Sequence, residues 1–349
     1  MLGLDISSTA VKLLELSHKG GNYRIEAYAV EPLAPGAVVE KKIIDVDAVG
    51  EAIKQAVKRS RTRAKLAVVA VAGSAVITKL ISLPATLSDR EMAAQIELDA
   101  HQYIPYPLEE VNLDFQVMGP SERDPEMVEV LLAASRSENV DLRVAAVELA
   151  GLTAGIVDVE AYATETAMSL ITQRMPGRGA GMRLAIIDVG ATMTSFNVLD
   201  QFKVIYTREQ AFGGKQLTEE IQRRYELSYE EAGRGKIQGG LPADYEMEVL
   251  EPFKESMAQQ ITRSLQFFFS SSHYHNVDQI ILAGGASLIP GIDELVRAQT
   301  DTPTTIANPF AGMTVASRIN AQAVTRDAPA LMIACGLAMR SFDTTSVSA

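Results

Sequence analysis

Two segments almost half a chain apart, Leu2-Gly3-Leu4-Asp5-Ile6-Ser7-Ser8-Thr9 and Ala185-Ile186-Ile187-Asp188-Val189-Gly190-Ala191-Thr192, share one design. Each runs from an apolar strand through an aspartate into a turn of small residues that includes hydroxyls. Such a turn exposes backbone N–H groups to an anion, while the carboxylate faces a metal ion or its waters. A single example is equally a turn-capping aspartate. Two of them facing each other would grip one nucleotide polyphosphate from both sides. With 349 residues the chain is long enough for about two domains of roughly 150 residues and a substantial core, so each lobe can carry one turn.

The repeat extends beyond the turns. Residues 2–6, 11–16 and 23–30 cluster or alternate apolar side chains around turns, including Lys19-Gly20-Gly21-Asn22, and predict three strands of a meander. Residues 47–59 place Val49, Ile53, Ala56 and Val57 at helical spacing, and 66–71 predict another strand. After the linker Gly177-Arg178-Gly179-Ala180-Gly181, residues 188–207 repeat turn, strand, hairpin and strand, with Leu199-Asp200-Gln201-Phe202 at the bend. Few identities align, so the repeat is structural: a duplicated α/β architecture with a cleft between its halves. Helices over 216–225 and 248–270 follow, then a strand over 279–282 that ends in Ala283-Gly284-Gly285-Ala286-Ser287.

Between about 78 and 152 the texture changes. Ser88-Asp89-Arg90-Glu91 predicts a helix opened by a capping box, and Tyr103-Ile104-Pro105-Tyr106-Pro107 forbids its continuation. Strands over 113–117 and 128–133 flank a charged loop at 121–126, and a second helix spans 138–149, which makes a compact insert. The expected division is a first core subdomain at 1–78, rejoined by 153–181 and about 325–349, an insert at 79–152, and a second lobe at 182–324.

A net charge of −12 leaves no surplus of Lys and Arg to displace counterions, which excludes broad nucleic-acid binding. The single cysteine, Cys335, cannot form an intrachain disulfide and fits a reducing compartment, where it reads as a small buried hydrophobe. No window approaches the ~20 apolar residues needed to cross a bilayer, and no secretory signal opens the chain, so a cytoplasmic location is expected. The polar tail 341–349 has no amphipathic helix, so membrane association would need a partner. The first strand begins almost at Met1, which leaves room for a leader upstream. His273 and His275 lack further ligands for a metal site, and Phe267-Phe268-Phe269 anchors a core helix.

Two acidic turns followed by a strand-ended Gly284-Gly285 turn follow the order seen in the ASKHA group, which includes actin, sugar kinases and heat-shock chaperone ATPases. The chain resembles an actin-like ATPase of the FtsA branch: a two-lobed actin-like (ASKHA) α/β fold with duplicated sheet cores and an FtsA-type inserted subdomain. The resemblance implies ATP with Mg2+ as cofactor. Asp5 and Asp188 would hold the metal through water, and Ser7, Ser8 and Thr9 would cradle the β-phosphate. Lys12 would take the place of actin's phosphate-contacting lysine. Gly190, Ala191 and Thr192 would form the second phosphate turn, and Gly284, Gly285, Ala286 and Ser287 would pass the ring or ribose. Gly213, Gly214 and Lys215 open a helix whose first amides would face the phosphates. Lys215 and Lys236 are lesser candidates, each more often a solvated surface lysine. Glu160 resembles the chaperone glutamate that positions the attacking water, and with Asp188 forms the catalytic candidate set; as a helix-start acid it is also favoured by the dipole alone. Ala191 and Met193 depart from the chaperones' glycine-rich turn, so binding is better supported than hydrolysis.

Gln102-Tyr103-Ile104-Pro105-Tyr106-Pro107-Leu108-Glu109-Glu110-Val111 resembles the signature of the PilM family of type IV pilus assembly, and residues 3–16, 71–76 and 212–217 agree with it. That resemblance implies a groove between the first core subdomain and the insert that binds the N-terminal cytoplasmic peptide of PilN. It also implies a place at the inner membrane through PilN, contacts with other alignment and motor components, and a role in twitching motility. An empty apolar groove would promote self-association. A filament-forming or turnover actin-like ATPase of the cell-division or cell-shape type remains the alternative.

Overall fold

The computed structural model describes residues 1–121 and 124–343. Glu122 and Arg123 of the expected charged loop, and residues 344–349 of the expected polar tail, lie outside the described residues. The chain opens with β1 (Leu2–Ile6), β2 (Ala10–Lys19) and β3 (Asn22–Pro32), an antiparallel meander in which Lys19 faces Asn22 across the Gly20-Gly21 bend. A small hairpin, β4 (Val38–Val39) with β5 (Lys42–Ile43), leads into α1 (Val46–Ser60), whose first turn is capped by Asp45. β6 (Leu66–Val71) then runs parallel to β1. The next elements are β7 (Val76–Pro84), α2 (Asp89–Asp99), β8 (Val111–Pro120), β9 (Met127–Arg136) and α3 (Ser137–Leu149). β10 (Thr153–Val159) returns beside β6, and α4 (Glu160–Thr172) follows it directly.

The second half repeats the first. β11 (Leu184–Val189), β12 (Thr194–Asp200) and β13 (Lys203–Gln210) form a meander, followed by α5 (Gly214–Tyr225), α6 (Tyr229–Gln238) and α7 (Glu251–Ser271). β14 (Gln279–Ala283), α8 (Ile292–Thr300), β15 (Thr304–Ile306) and β16 (Thr314–Val315) precede α9 (Ala321–Asp327) and α10 (Met332–Met339). Among the described residues the sheets run β10-β6-β1-β2-β3-β16 and β13-β12-β11-β14-β15, with β7-β9-β8 as a third, antiparallel sheet. In both large sheets the acidic strand is antiparallel to the next strand and parallel to a later one.

Both faces of each acidic strand are covered, which explains their near-continuous apolar sequence. Ile187 packs outward with Leu217, Ile221, Met257 and Ile261, and its neighbour Ile186 packs inward with Ile281, Met168 and Cys335. That inward cluster also contains Leu14 and Leu16 of the first sheet, so α4 and α10 fill the space between the two sheets. α10 lies so close to α4 that a Cβ on Gly336 would stand 1.7 Å from the Ala163 carbonyl oxygen.

Three sequence expectations change. β7 was not anticipated. The helix expected inside the insert, α3, packs through Ala146 and Val147 on Val49 and Ile53 of α1, so it belongs to the core of the first lobe. The chain rejoins the first sheet ahead of residue 325, because Thr314 pairs with Arg24.

Candidate functional site

The first acidic turn is braced from below. Asp5, buried at the end of β1, lies opposite Lys12 on β2, and the Lys12 Nζ donates to Asp5 Oδ2 over 2.8 Å. Burial pulls the Lys12 pKa down, but the carboxylates of Asp5, Asp188 and Glu160 outweigh it and hold the amine charged above its ordinary range. The Ser7 hydroxyl turns back onto the Ala10 carbonyl at 2.8 Å, and Thr9 is exposed. Ser8 reaches across: its Oγ lies 2.8 Å from Thr192 Oγ1 of the second turn. The two turns singled out in the sequence are therefore in contact.

Asp188 ends β11 beside them. Burial pushes its carboxyl up to about 6; the Lys12 and Lys41 ammoniums pull the other way, and Asp5 and Glu160 add to the rise. Gly284 lies against this carboxylate, at φ +83, where a Cβ would fall 2.5 Å from Asp188 Oδ1 and 2.3 Å from the Val189 carbonyl oxygen. Glycine is thus required here by packing on the acidic strand, whereas the direction of a Cβ on Gly285 is open. Ala286 is buried and the Ser287 hydroxyl bonds the Gly284 carbonyl at 2.7 Å, so these two shape the turn from within.

The helix α5 behaves differently from expectation. Its Gly214 N–H donates to the Gly190 carbonyl at 3.0 Å and its Lys215 N–H to the Ala191 carbonyl at 2.7 Å, and the Gln216 N–H closes on Gly213. These amides hold the second turn in place and are not free for an anion. Lys215 is half-exposed and pairs with Glu219 one helical turn on, and Lys236 donates to the Gly214 carbonyl and to Thr218 Oγ1. Burial lowers the Lys236 pKa. Both lysines support α5.

The residue that sequence reasoning missed is Lys41, at the tip of the β4–β5 hairpin. Its Nζ lies 2.5 Å from Glu160 Oε2, 2.8 Å from Ser195 Oγ and 3.1 Å from Glu209 Oε1. Burial opposes its charge, but Glu160, Glu209 and Asp188 keep the ammonium well above the ordinary lysine range. Glu160 does face the cleft from the start of α4, with its carboxylate already engaged by this cation. Beneath them a cavity of about 10 Å3 is lined by Glu160, Asp188, Asn197 and Glu209, and Glu209 Oε2 is buried without a hydrogen-bond partner.

On the other side of the hairpin a groove of about 320 Å3 opens between the first lobe and the third sheet. Ile44, Ile77, Ile104 and Tyr106 give it apolar surface, and Asn139 and Arg143 give it polar groups. Arg143 is buried, and its guanidinium donates to the carbonyls of Ala70, Asn139 and Lys41.

The sequence profile described as Type IV pilus assembly protein PilM matches residues 3–342. The chain belongs to the PilM family. A solved structure described as the PilM–PilN type IV pilus biogenesis complex shares 29% identity over 98% of each chain, with a TM-score of 0.81. The PilM-family fold is the actin-like one. The ethanolamine utilization protein EutJ from Carboxydothermus hydrogenoformans matches 97% of this chain and 88% of its own at 15% identity and TM-score 0.57. MreB5 of Spiroplasma citri bound to AMPPNP matches 99% and 96% at 13% identity and TM-score 0.51. Among the described residues of this PilM-family chain, no helix is long and apolar enough to cross a membrane.

Proposed function

We propose that this protein is the cytoplasmic ATP-binding component of the type IV pilus inner-membrane alignment complex. It takes the N-terminal cytoplasmic peptide of PilN in the groove between the first lobe and the insert, and couples its nucleotide state to pilus assembly and twitching motility. The observation that carries this reading is the groove itself: a 320 Å3 cavity at the junction of core and insert, in a chain whose relative is described in complex with PilN. An extended peptide can lay apolar side chains on Ile77, Ile104 and Tyr106 while its backbone meets Asn139 and the neighbouring strand ends.

The cleft residues fit a magnesium nucleotide. Asp188 is a carboxylate whose burial resists ionisation, a state that a nearby cation relieves. Asp5 and Asp188 would hold magnesium through water, since the ion keeps several waters and takes phosphate oxygens as ligands. When bound, Mg–ATP supplies a polyanion and a divalent charge between the lobes. Ser8 and Thr192 would hold phosphate oxygens in place of their mutual hydrogen bond, and Lys12 would balance the negative charge. Gly285 leaves open space for the nucleoside. Glu160 is tied to Lys41 and is poorly placed to activate water, so hydrolysis is weak or absent.

Isothermal titration of ATP and of a PilN N-terminal peptide against wild type and Asp188→Ala tests the reading. Asp188→Ala is expected to weaken ATP binding at least tenfold and to retain the peptide. Unimpaired ATP binding by the variant would remove the cleft assignment, and failure of wild type to bind the peptide would remove the groove.

A further inference from the structure

Lys41 belongs to two sites at once. Its backbone is part of the groove wall, and its ammonium lies in the cleft between the lobes. Glu160 is on the first-lobe side, whereas Ser195 and Glu209 sit on β12 and β13 of the second lobe. We propose that Lys41 is a positioning residue that latches the two lobes and links groove occupancy to the nucleotide cleft. This inference rests on the function proposed above and names the part that transmits it.

Three features support a latch over an ordinary buried ion pair. First, the turn is strained: Glu40 and Lys41 adopt φ values of 47° and 64°. Two-residue hairpin turns of this kind favour Asn-Gly, so Glu40-Lys41 sits there against its backbone preference, as Gln201-Phe202 does between β12 and β13. Second, the tip is pinned from the groove side, because Arg143 Nη2 donates to the Lys41 carbonyl at 3.0 Å while its Nε grips Ala70 on β6. Third, the ammonium at the cleft end is held by Glu160, Ser195 and Glu209, and Glu209 Oε2 keeps an unpartnered lone pair beside a cavity about large enough for one water. Withdrawal of the ammonium breaks these contacts together, since one Nζ makes all three. A peptide packed on residues 40–44 fixes the hairpin, and through it the distance between β13 and the start of α4. By reciprocity a nucleotide that changes that distance alters peptide affinity by the same factor.

The test is the ratio of PilN-peptide Kd values with and without saturating Mg–ATP, measured by titration calorimetry for wild type, Glu209→Gln and Lys41→Met. Glu209→Gln removes the charge that attracts Lys41 from the second lobe, while the Ser195 contact stays, without stranding a carboxylate or touching the groove, so it serves if Lys41→Met does not fold. The wild-type ratio is expected to depart from one by at least threefold, to return to one in Lys41→Met and to move toward one in Glu209→Gln. Because a ratio is read, a general loss of stability or affinity does not imitate the result. A variant ratio equal to that of wild type, or a wild-type ratio of one with both ligands bound, overturns the latch. Absence of peptide or ATP binding in wild type instead overturns the underlying function and the latch with it.

Discussion

Asp188 is placed where a carboxylate ionises with difficulty, and the sign of its effect on stability follows. Its folded pKa of about 6 exceeds the ordinary 3.8, so between these values the folded protein holds a proton that the unfolded chain releases. The group therefore favours the fold most below about pH 4, loses that contribution as pH rises to about 6, and adds nothing back above it. Asp188→Asn is expected to stabilise nucleotide-free protein at pH 7.5 by up to about 3 kcal/mol, read as a higher melting temperature, and to flatten the decline between pH 4 and 6. Melts at pH 4.5, 6 and 7.5 check this; a lower melting temperature at pH 7.5 would contradict it. Asp5 and Asp188 were legible because strand end and turn chemistry are local. Lys41 was not: its partners lie 119, 154 and 168 positions away, and Glu-Lys carries no hairpin signal.

Elements follow the same division between local and distant causes. The capping box at Ser88 could be read directly, and the structure shows the Ser88 N–H bonded to Glu91 Oε2 at 2.8 Å and the Glu91 N–H to Ser88 Oγ at 3.4 Å. Ser88→Ala should cost about 1 kcal/mol, with faster hydrogen exchange confined to α2. Faster exchange in α1 or α5 as well would show that the insert is not independent in this respect. β7 escaped notice because Val76, Ile77, Leu80 and Ile81 follow a helical spacing, and the exposed edge position of the strand removes the alternation that a buried face imposes. For α5 the glycines announced a helix start correctly, but what consumes its first amides depends on the carbonyls of a turn more than twenty residues earlier.

At the scale of the whole molecule, the duplicated sheets were legible from the paired turns, whereas the return of β16 to the first sheet depends on contacts between segments far apart in the chain. The shared core around α4 and α10 predicts that both lobes unfold together. Urea unfolding followed by hydrogen-exchange mass spectrometry should give one midpoint for peptides from β1 and from β11; separate midpoints would show that the lobes are independent. Gly336→Ala sharpens the test. Alanine is favoured over glycine by about 1 kcal/mol in a helix interior. Here its methyl would meet the Ala163 carbonyl oxygen, so a net loss of about 2 kcal/mol or more is expected.

The close approach of Gly3 to Ala334 has a consequence for synthesis. β1 is made about 330 residues ahead of its covering helix α10. At roughly 5–20 residues per second, the inner face of the first sheet waits tens of seconds on the ribosome for its cover. Leu14 and Leu16 stay available during that time to any chaperone that recognises bare apolar strands, and the first sheet cannot be finished until α10 arrives.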